Sequence, residues 1–269
     1  MKILLFLIIL TPVLHARETV FLERKGIIAI EAESTSSRLG SWEKKTDVAD
    51  FSGECHLEFT GNSIMNGPPK SPLKYHFKVT TPGNYRLTIR ARKRLETDRD
   101  DLSNDCYVSL KGDFEAGGGA PLKVLESDTK MFGGHATKWD WTNQLDFNHK
   151  KDDAIYRLVP GEEYELTISG RSKNFNFDRF LLIHESKDFR QTRNTNPDES
   201  PTADDLDKPK KPVIRTLIDK EGREVRAELE RLSGNILHVK VKGRPYQIKL
   251  DILSAKDQEF IRDWAEESP

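Results

Sequence analysis

Two carboxylates, Glu31 and Glu33, sit two residues apart in the run Ile30-Glu31-Ala32-Glu33. In a strand, positions i and i+2 share a face, so both acids point the same way from an otherwise apolar segment. Like charges held that close in an apolar setting repel unless something positive lies between them. A third acid, Asp178, lies in Phe175-Asn176-Phe177-Asp178-Arg179-Phe180 and shares a strand face with Asn176 by the same alternation. If that strand runs beside the one carrying Glu31, three oxygen donors converge, the kind of set a hard cation such as calcium takes. The plainer alternative is a group of surface carboxylates, or a pair bridged to Arg179 or Arg90.

A second chemistry is written in Lys138-Trp139-Asp140-Trp141-Thr142. Alternation sets both indoles on one strand face, or both in one loop. A sugar ring stacks its C–H groups on an indole face while nearby amides and carboxylates bond its hydroxyls. Asn176 is such an amide, or else a residue that satisfies a turn; Trp139, Trp141 and Trp42 are equally at home in a core. Catalysis has less behind it. The seven histidines show neither the H-x-x-x-H nor the H-E-x-x-H spacing, and Cys55-His56 has no third partner in view. There is no G-x-S-x-G elbow and no phosphate loop. A carboxylate pair for glycoside hydrolysis meets only in space, so it stays open as a third reading. The expectation is a protein that is not an enzyme.

These residues need elements to position them. A chain of 269 residues holds one sizeable domain and a small one. With 43 basic and 44 acidic residues the net charge is −1, which argues against a nucleic-acid partner. Met1-Lys2 and the apolar run Ile3 to Leu10 resemble a secretory signal peptide, with cleavage expected after Ala16 and an uncleaved anchor as the alternative. No later segment is apolar and long enough to span a bilayer. Export permits a disulfide between Cys55 and Cys106, which would contribute about 4 kcal/mol; two buried thiols are the alternative.

Strands are expected at Ile27 to Glu33, Leu73 to Val79, Tyr85 to Ala91, Tyr107 to Leu110, Ile155 to Val159, Tyr164 to Ser169 and Phe177 to Ile183. Two segments repeat one plan: a strand, a Pro-Gly turn at Pro82-Gly83 or Pro160-Gly161, and a second strand. Both read as antiparallel hairpins. Many short strands without strong helices indicate an all-β sandwich or jelly roll over residues 17–187. The acids Asp98, Asp100, Asp101 and Asp105 lack the rest of an EF-hand loop and read as solvated. Residues 188–212 carry almost nothing to bury and read as a flexible linker. Residues 213–269 give four short strands and a helix whose start, Ser254 to Asp257, looks like a capping box, hence a small barrel closed by a helix.

In their order along the chain, Ile30-Glu31-Ala32-Glu33, Pro82-Gly83-Asn84-Tyr85-Arg86-Leu87 and Phe175 to Phe180 resemble carbohydrate-binding module families 6 and 35, galactose-binding-like β-jelly rolls. The resemblance implies a structural calcium at Glu31, Glu33 and Asp178 and a glycan site at Asn176, with Trp139 or Trp141 near the region that supplies a stacking aromatic. The stretches from Arg215 to Asp219 and from Leu253 to Ile261 resemble the Sla homology-one domain, an SH3-like barrel that exported planctomycete and verrucomicrobial proteins often append. The expectation is a secreted, periplasmic or surface protein that binds polysaccharide without catalysis. The runner-up is an envelope scaffold or adhesion protein whose small barrel takes a protein partner.

Overall fold

The computed structural model describes residues 18–64, 68–94, 102–206 and 212–266. The expected signal segment, Asp98, Asp100 and Asp101 therefore lie outside the described residues. The chain divides into two compact units, residues 1–207 and 208–269.

The first unit is a β-sandwich jelly roll. One sheet has seven strands, ordered Val20–Leu22, Lys70–Lys78, Glu163–Gly170, Asp105–Lys111, Thr129–Phe132, Gln144–Phe147 and Lys150–Asp153. The other is built on Trp42–Lys45, His56–Phe59, Phe175–His184, Gly83–Lys93, Ile155–Leu158 and Glu115–Ala116, with Ile27–Glu31 and Asp140–Thr142 attached. All seven expected strands are present. Alternation sends Tyr75 and Phe77 from one sheet, and Tyr85, Leu87, Phe175, Phe177 and Phe180 from the other, into a common aromatic core. Trp42 belongs to it, its ring edge-on to Phe59, Phe175 and Phe177. Cys55 and Cys106 are both buried free thiols, the second of the two alternatives.

The two Pro-Gly units are not hairpins. Lys70–Lys78 and Gly83–Lys93 lie in opposite sheets, as do Ile155–Leu158 and Glu163–Gly170, so each turn is an arch over the edge of the sandwich. Both arms of each arch bury apolar side chains on facing sheets, a pattern that a hairpin with one buried face also displays. The arches touch: Gly161 N donates to Val79 O at 3.2 Å. Gly83 and Gly161 both have positive φ, at 145° and 86°.

Residues 188–206 also depart from expectation. They fold back on the outer face of the second sheet as a strap instead of hanging free. Asp188 caps a short helix, Phe189–Asn194, by accepting from Gln191 N at 2.7 Å. Phe189 packs with Ile27, Ala29, Trp141, Leu181 and Ile183 in a small apolar cluster. Ser200 then runs along Ile27–Glu31: its amide donates to Ala29 O at 2.8 Å, and its hydroxyl accepts from Ala29 N at 2.9 Å. Thr202 bridges Phe21 in antiparallel fashion.

The second unit is a four-stranded antiparallel sheet, Val213–Ile218, Glu224–Ser233, Ile236–Val241 and Arg244–Lys249, followed by the helix Ala255–Glu266. Leu217, Leu229, Leu237, Val239 and Ile261 form its core. Half of the expected capping box forms, since Ser254 N donates to Ile218 O and not to the Asp257 carboxylate. Asp257 N donates to Ser254 Oγ at 3.2 Å, and Ser254 Oγ donates to Asp257 Oδ2 at 3.0 Å. Asp257 also accepts from Ile218 N at 3.0 Å and Arg215 Nε at 2.9 Å, which ties the helix to the first strand. Among the described residues no helix is long and apolar enough to cross a membrane.

Candidate functional site

The outer face of the Phe175–His184 strand holds the residues singled out by type and spacing. Ile27–Glu31 pairs antiparallel beside it, with Glu31 opposite Arg179. Asp178 lies where the register against Gly83–Lys93 shifts between Phe177 and Arg179. The bulge breaks the alternation that would have made Asn176 and Asp178 equivalent. Glu33 has left the strand for a single 3-10 turn, Ala32–Ser34, so it does not share a strand face with Glu31.

The three carboxylates nevertheless meet at one loop, residues 46–55. Ser52 Oγ donates to Glu31 Oε2 at 2.8 Å and lies 3.0 Å from Asp178 Oδ2, while Ser52 N donates to Asp178 Oδ1 at 2.8 Å. Glu33 Oε1 accepts from Glu54 N at 2.6 Å and Cys55 N at 3.1 Å. Gly53, at φ 69°, lies against Glu31 and Glu33 so closely that an added Cβ would collide with the Glu33 carboxylate. Both suspected arginines are partners. Arg90 Nη1 lies 2.5 Å from Asp178 Oδ2, and Arg179 Nη2 lies 3.3 Å from Glu31 Oε1.

Three carboxylates against two guanidinium groups leave an excess of buried negative charge. Burial, with help from Asp178 and Glu33, pushes Glu31 up to about 7 against the pull of Arg179 and Ser52. Burial raises Glu33 and Asp178 as well. Glu33 Oε2 is buried without a hydrogen-bond partner. Among the described residues no group of three or more His, Cys, Asp and Glu side chains is arranged so that it could hold a metal ion. The all-oxygen donors, the surplus charge and the orphaned Glu33 oxygen fit a hard cation in chemistry. Of the acidic loop, the described Asp105 is ion-paired with Arg171 and belongs to a different part of the sandwich.

Asn176 is fully buried, as is its neighbour His56, and Trp139 is 8% exposed. None presents an open surface in this conformation. Asn176 Nδ2 donates to Asn174 O at 3.1 Å, and Trp139 Nε1 donates to Ala49 O at 2.9 Å. The Trp139 ring lies edge-on to His56, 5.2 Å between centroids, and under the Arg90 guanidinium at 5.6 Å. Arg90 thus touches both the indole and Asp178, so the amide, one indole and the carboxylates form one neighbourhood. Trp141 is placed elsewhere, against Ala29, Leu181 and Phe189 in the cluster beneath the strap. Spacing does not single out Glu58, Ser52 or, beyond the Cys55-His56 pair, His56, because each meets a residue far along the chain: Glu58 stands opposite Asn176, His56 lies edge-on to Trp139 and Ser52 N donates to Asp178.

No protein-family model matches the chain, and no curated protein matches it. Solved structures that resemble it include a family 35 carbohydrate binding module from Clostridium thermocellum, at 12% identity and TM-score 0.38, covering 59% of this chain and 98% of that one. Another is the family 35 module from Paenibacillus barcinonensis, at 14% identity and TM-score 0.36, covering 58% of this chain and 98% of that one. A third is the Podospora anserina GH26-CBM35 beta-(1,4)-mannanase, at 13% identity and TM-score 0.40, with 61% of this chain covered. The chain spans only 29% of that enzyme's length.

Proposed function

We propose that the chain is a secreted, non-catalytic carbohydrate-binding protein whose jelly roll carries a structural calcium ion at Glu31, Glu33 and Asp178. One observation carries the reading. An indole, Trp139, and an amide with an unpartnered oxygen, Asn176, lie in one neighbourhood with the carboxylate cluster, linked through His56 and Arg90. Stacking on an aromatic face together with a hydroxyl-bonding amide is the chemistry that recognises a sugar ring. Calcium there serves architecture: it neutralises the carboxylates that anchor loop 46–55, and Ser52 and Gly53 keep that loop close to them.

Retention on immobilised polysaccharides tests the reading. Trp139→Ala and Asn176→Ala are expected to weaken retention about tenfold or more, the loss of roughly 1.4 kcal/mol. Trp141→Ala is expected to leave it nearly intact, because that indole packs under the strap. Indifference to both of the first two substitutions removes the glycan reading. Chelation of divalent cations is expected to lower the melting temperature, with recovery on adding calcium.

A second reading, an envelope scaffold or adhesion protein, draws on the second unit. Ile214 and Tyr246, on its outer strands, are 55% and 50% exposed. Recovery of proteins and no polysaccharide from envelope extracts would favour it.

A further inference from the structure

We propose that the free edge of Val213–Ile218 is a docking site for an extended segment of another protein, taken as an added strand. The segment has apolar or β-branched residues at alternate positions and an acid between them. The proposal deepens the second reading, in which the small unit takes a protein partner, and is independent of the carbohydrate one.

In an antiparallel ladder each residue turns both of its backbone groups toward the same neighbour, and the next residue turns both away. Asp219 N donates to Arg223 O at 3.0 Å, so Asp219 and, at steps of two, Leu217, Arg215 and Val213 face Glu224–Ser233. Ile218, Thr216 and Ile214 therefore face outward. Ile218 agrees with that phase: its amide donates to Asp257 Oδ2 at 3.0 Å, and its carbonyl accepts from Ser254 N at 2.8 Å. The chain itself pairs with this end of the edge, since Lys220 N donates to Ile252 O at 2.9 Å and Asp219 bridges Leu253 in antiparallel fashion. Beyond Ser254 the chain turns into the helix Ala255–Glu266 and the pairing stops. Among the described residues the outward amides and carbonyls of Thr216 and Ile214 have no partner.

The two edges of this sheet differ in kind. Arg244–Lys249, on the far side, carries Pro245 and a basic residue at each end, devices that keep an edge strand from pairing. The outward positions of Val213–Ile218 carry neither. Ile214 and Ile218, on one side of the strand, are 55% and 37% exposed, with Thr216 exposed between them. Apolar and β-branched residues pair well with these across strands. Arg215 holds the one charge of the strand and lies on the other side, with its guanidinium over Phe260 at 3.8 Å. An acid opposite it completes the match.

A second copy of the chain fits poorly. Mating Ile214 with Thr216 across a two-fold axis sets Arg215 against its own counterpart, and like charges directly opposite repel. Mating Ile214 with its counterpart sets Thr216 against Pro212, which has no N–H to give. A different chain escapes both constraints.

The test follows amide-resolved hydrogen exchange in the full chain, alone and with the capped peptide Thr-Val-Glu-Val-Thr or its N-methylated form. In the free protein the Ile214 and Thr216 amides are expected to exchange at least about tenfold faster than those of Arg215 and Leu217. The peptide is expected to slow both outward amides about tenfold, and the N-methylated form to leave them unchanged. Ile214→Lys, and Thr216→Pro, which removes only an outward N–H, are expected to weaken peptide binding about tenfold at an unchanged melting temperature. Protection of Ile214 and Thr216 in the free chain means the edge is already covered and overturns the proposal. Exchange indifferent to the peptide overturns it too. A concentration-dependent dimer that Ile214→Lys dissolves gives the edge to a second copy and overturns the separate partner. Peptide protection with no protein recovered from envelope extracts supports the edge and removes the scaffold reading.

Discussion

Glu23 shows how a single carboxylate can be placed in a β-sandwich without a cation. Its two oxygens accept five hydrogen bonds, from Gly26 N, Thr80 N, Thr81 N, Thr81 Oγ1 and the Tyr85 hydroxyl. Burial alone would raise its pKa, but the donors together bring it down to about 2. A folded-state pKa below the usual 4.5 gives stability that is present above pH 4.5 and lost as pH falls toward 2. Glu23→Gln is therefore expected to cost about 2–3 kcal/mol at pH 7. The deficit, followed by denaturant titration, should close as the pH drops through that window. His56 adds a second acid-labile contribution, present above pH 6.5 and lost as pH falls toward 4. Glu31 runs the other way, since its pKa is raised from 4.5 to about 7, and metal-free protein loses its contribution as pH rises between those values. The residue types at Glu31, Glu33 and Asp178 were legible from spacing, and so was the arginine alternative. Glu23 was not, because three of its donors are backbone amides and a sequence gives no sign of where amides will point.

The strap is held by polar detail where the eye looks for apolar mass. Arg179 is 1% exposed and donates to Asn196 Oδ1 at 2.7 Å and Pro197 O at 2.6 Å, while also facing Glu31. Glu199 Oε1 accepts from Glu31 N at 2.9 Å. Among the described side chains of the strap the large apolar one is Phe189, and Arg86 lies over its ring at 4.5 Å. Composition misleads here: a stretch poor in hydrophobic residues has the look of a linker, yet its backbone and short side chains complete an edge. Arg179→Met is expected to cost about 3–5 kcal/mol, because Glu31 is left buried without its partner. Limited proteolysis should then cut within residues 188–206, which the parent protein protects. The arches teach a related lesson. Alternation located all four of their arms, but whether two arms pair with each other or face each other depends on the sheet each joins, and that is decided by partners far along the chain.

Across the whole molecule, two units of unequal size divide the chain. A unit of about sixty residues has little core to spare. Its helix is fastened through Asp257, which is 3% exposed and serves Ser254, Ile218 and Arg215 together. Asp257→Ala is expected to cost about 2–4 kcal/mol by losing the cap and stranding Arg215. Calorimetry should show the transition of the smaller unit lowered or lost while that of the sandwich stays in place. The two-unit plan, the all-β character and the terminal helix were legible because they rest on periodicity and on turn and cap residues. The boundary at residue 188 was not, since the sandwich continues through the strap to residue 206. That continuation brings the two ends of the module together: Phe21 bridges Thr202, and Leu22 N donates to Pro201 O at 2.8 Å. Tension applied through residues 18 and 206 would consequently load these few neighbouring bonds first, before it reached the aromatic core.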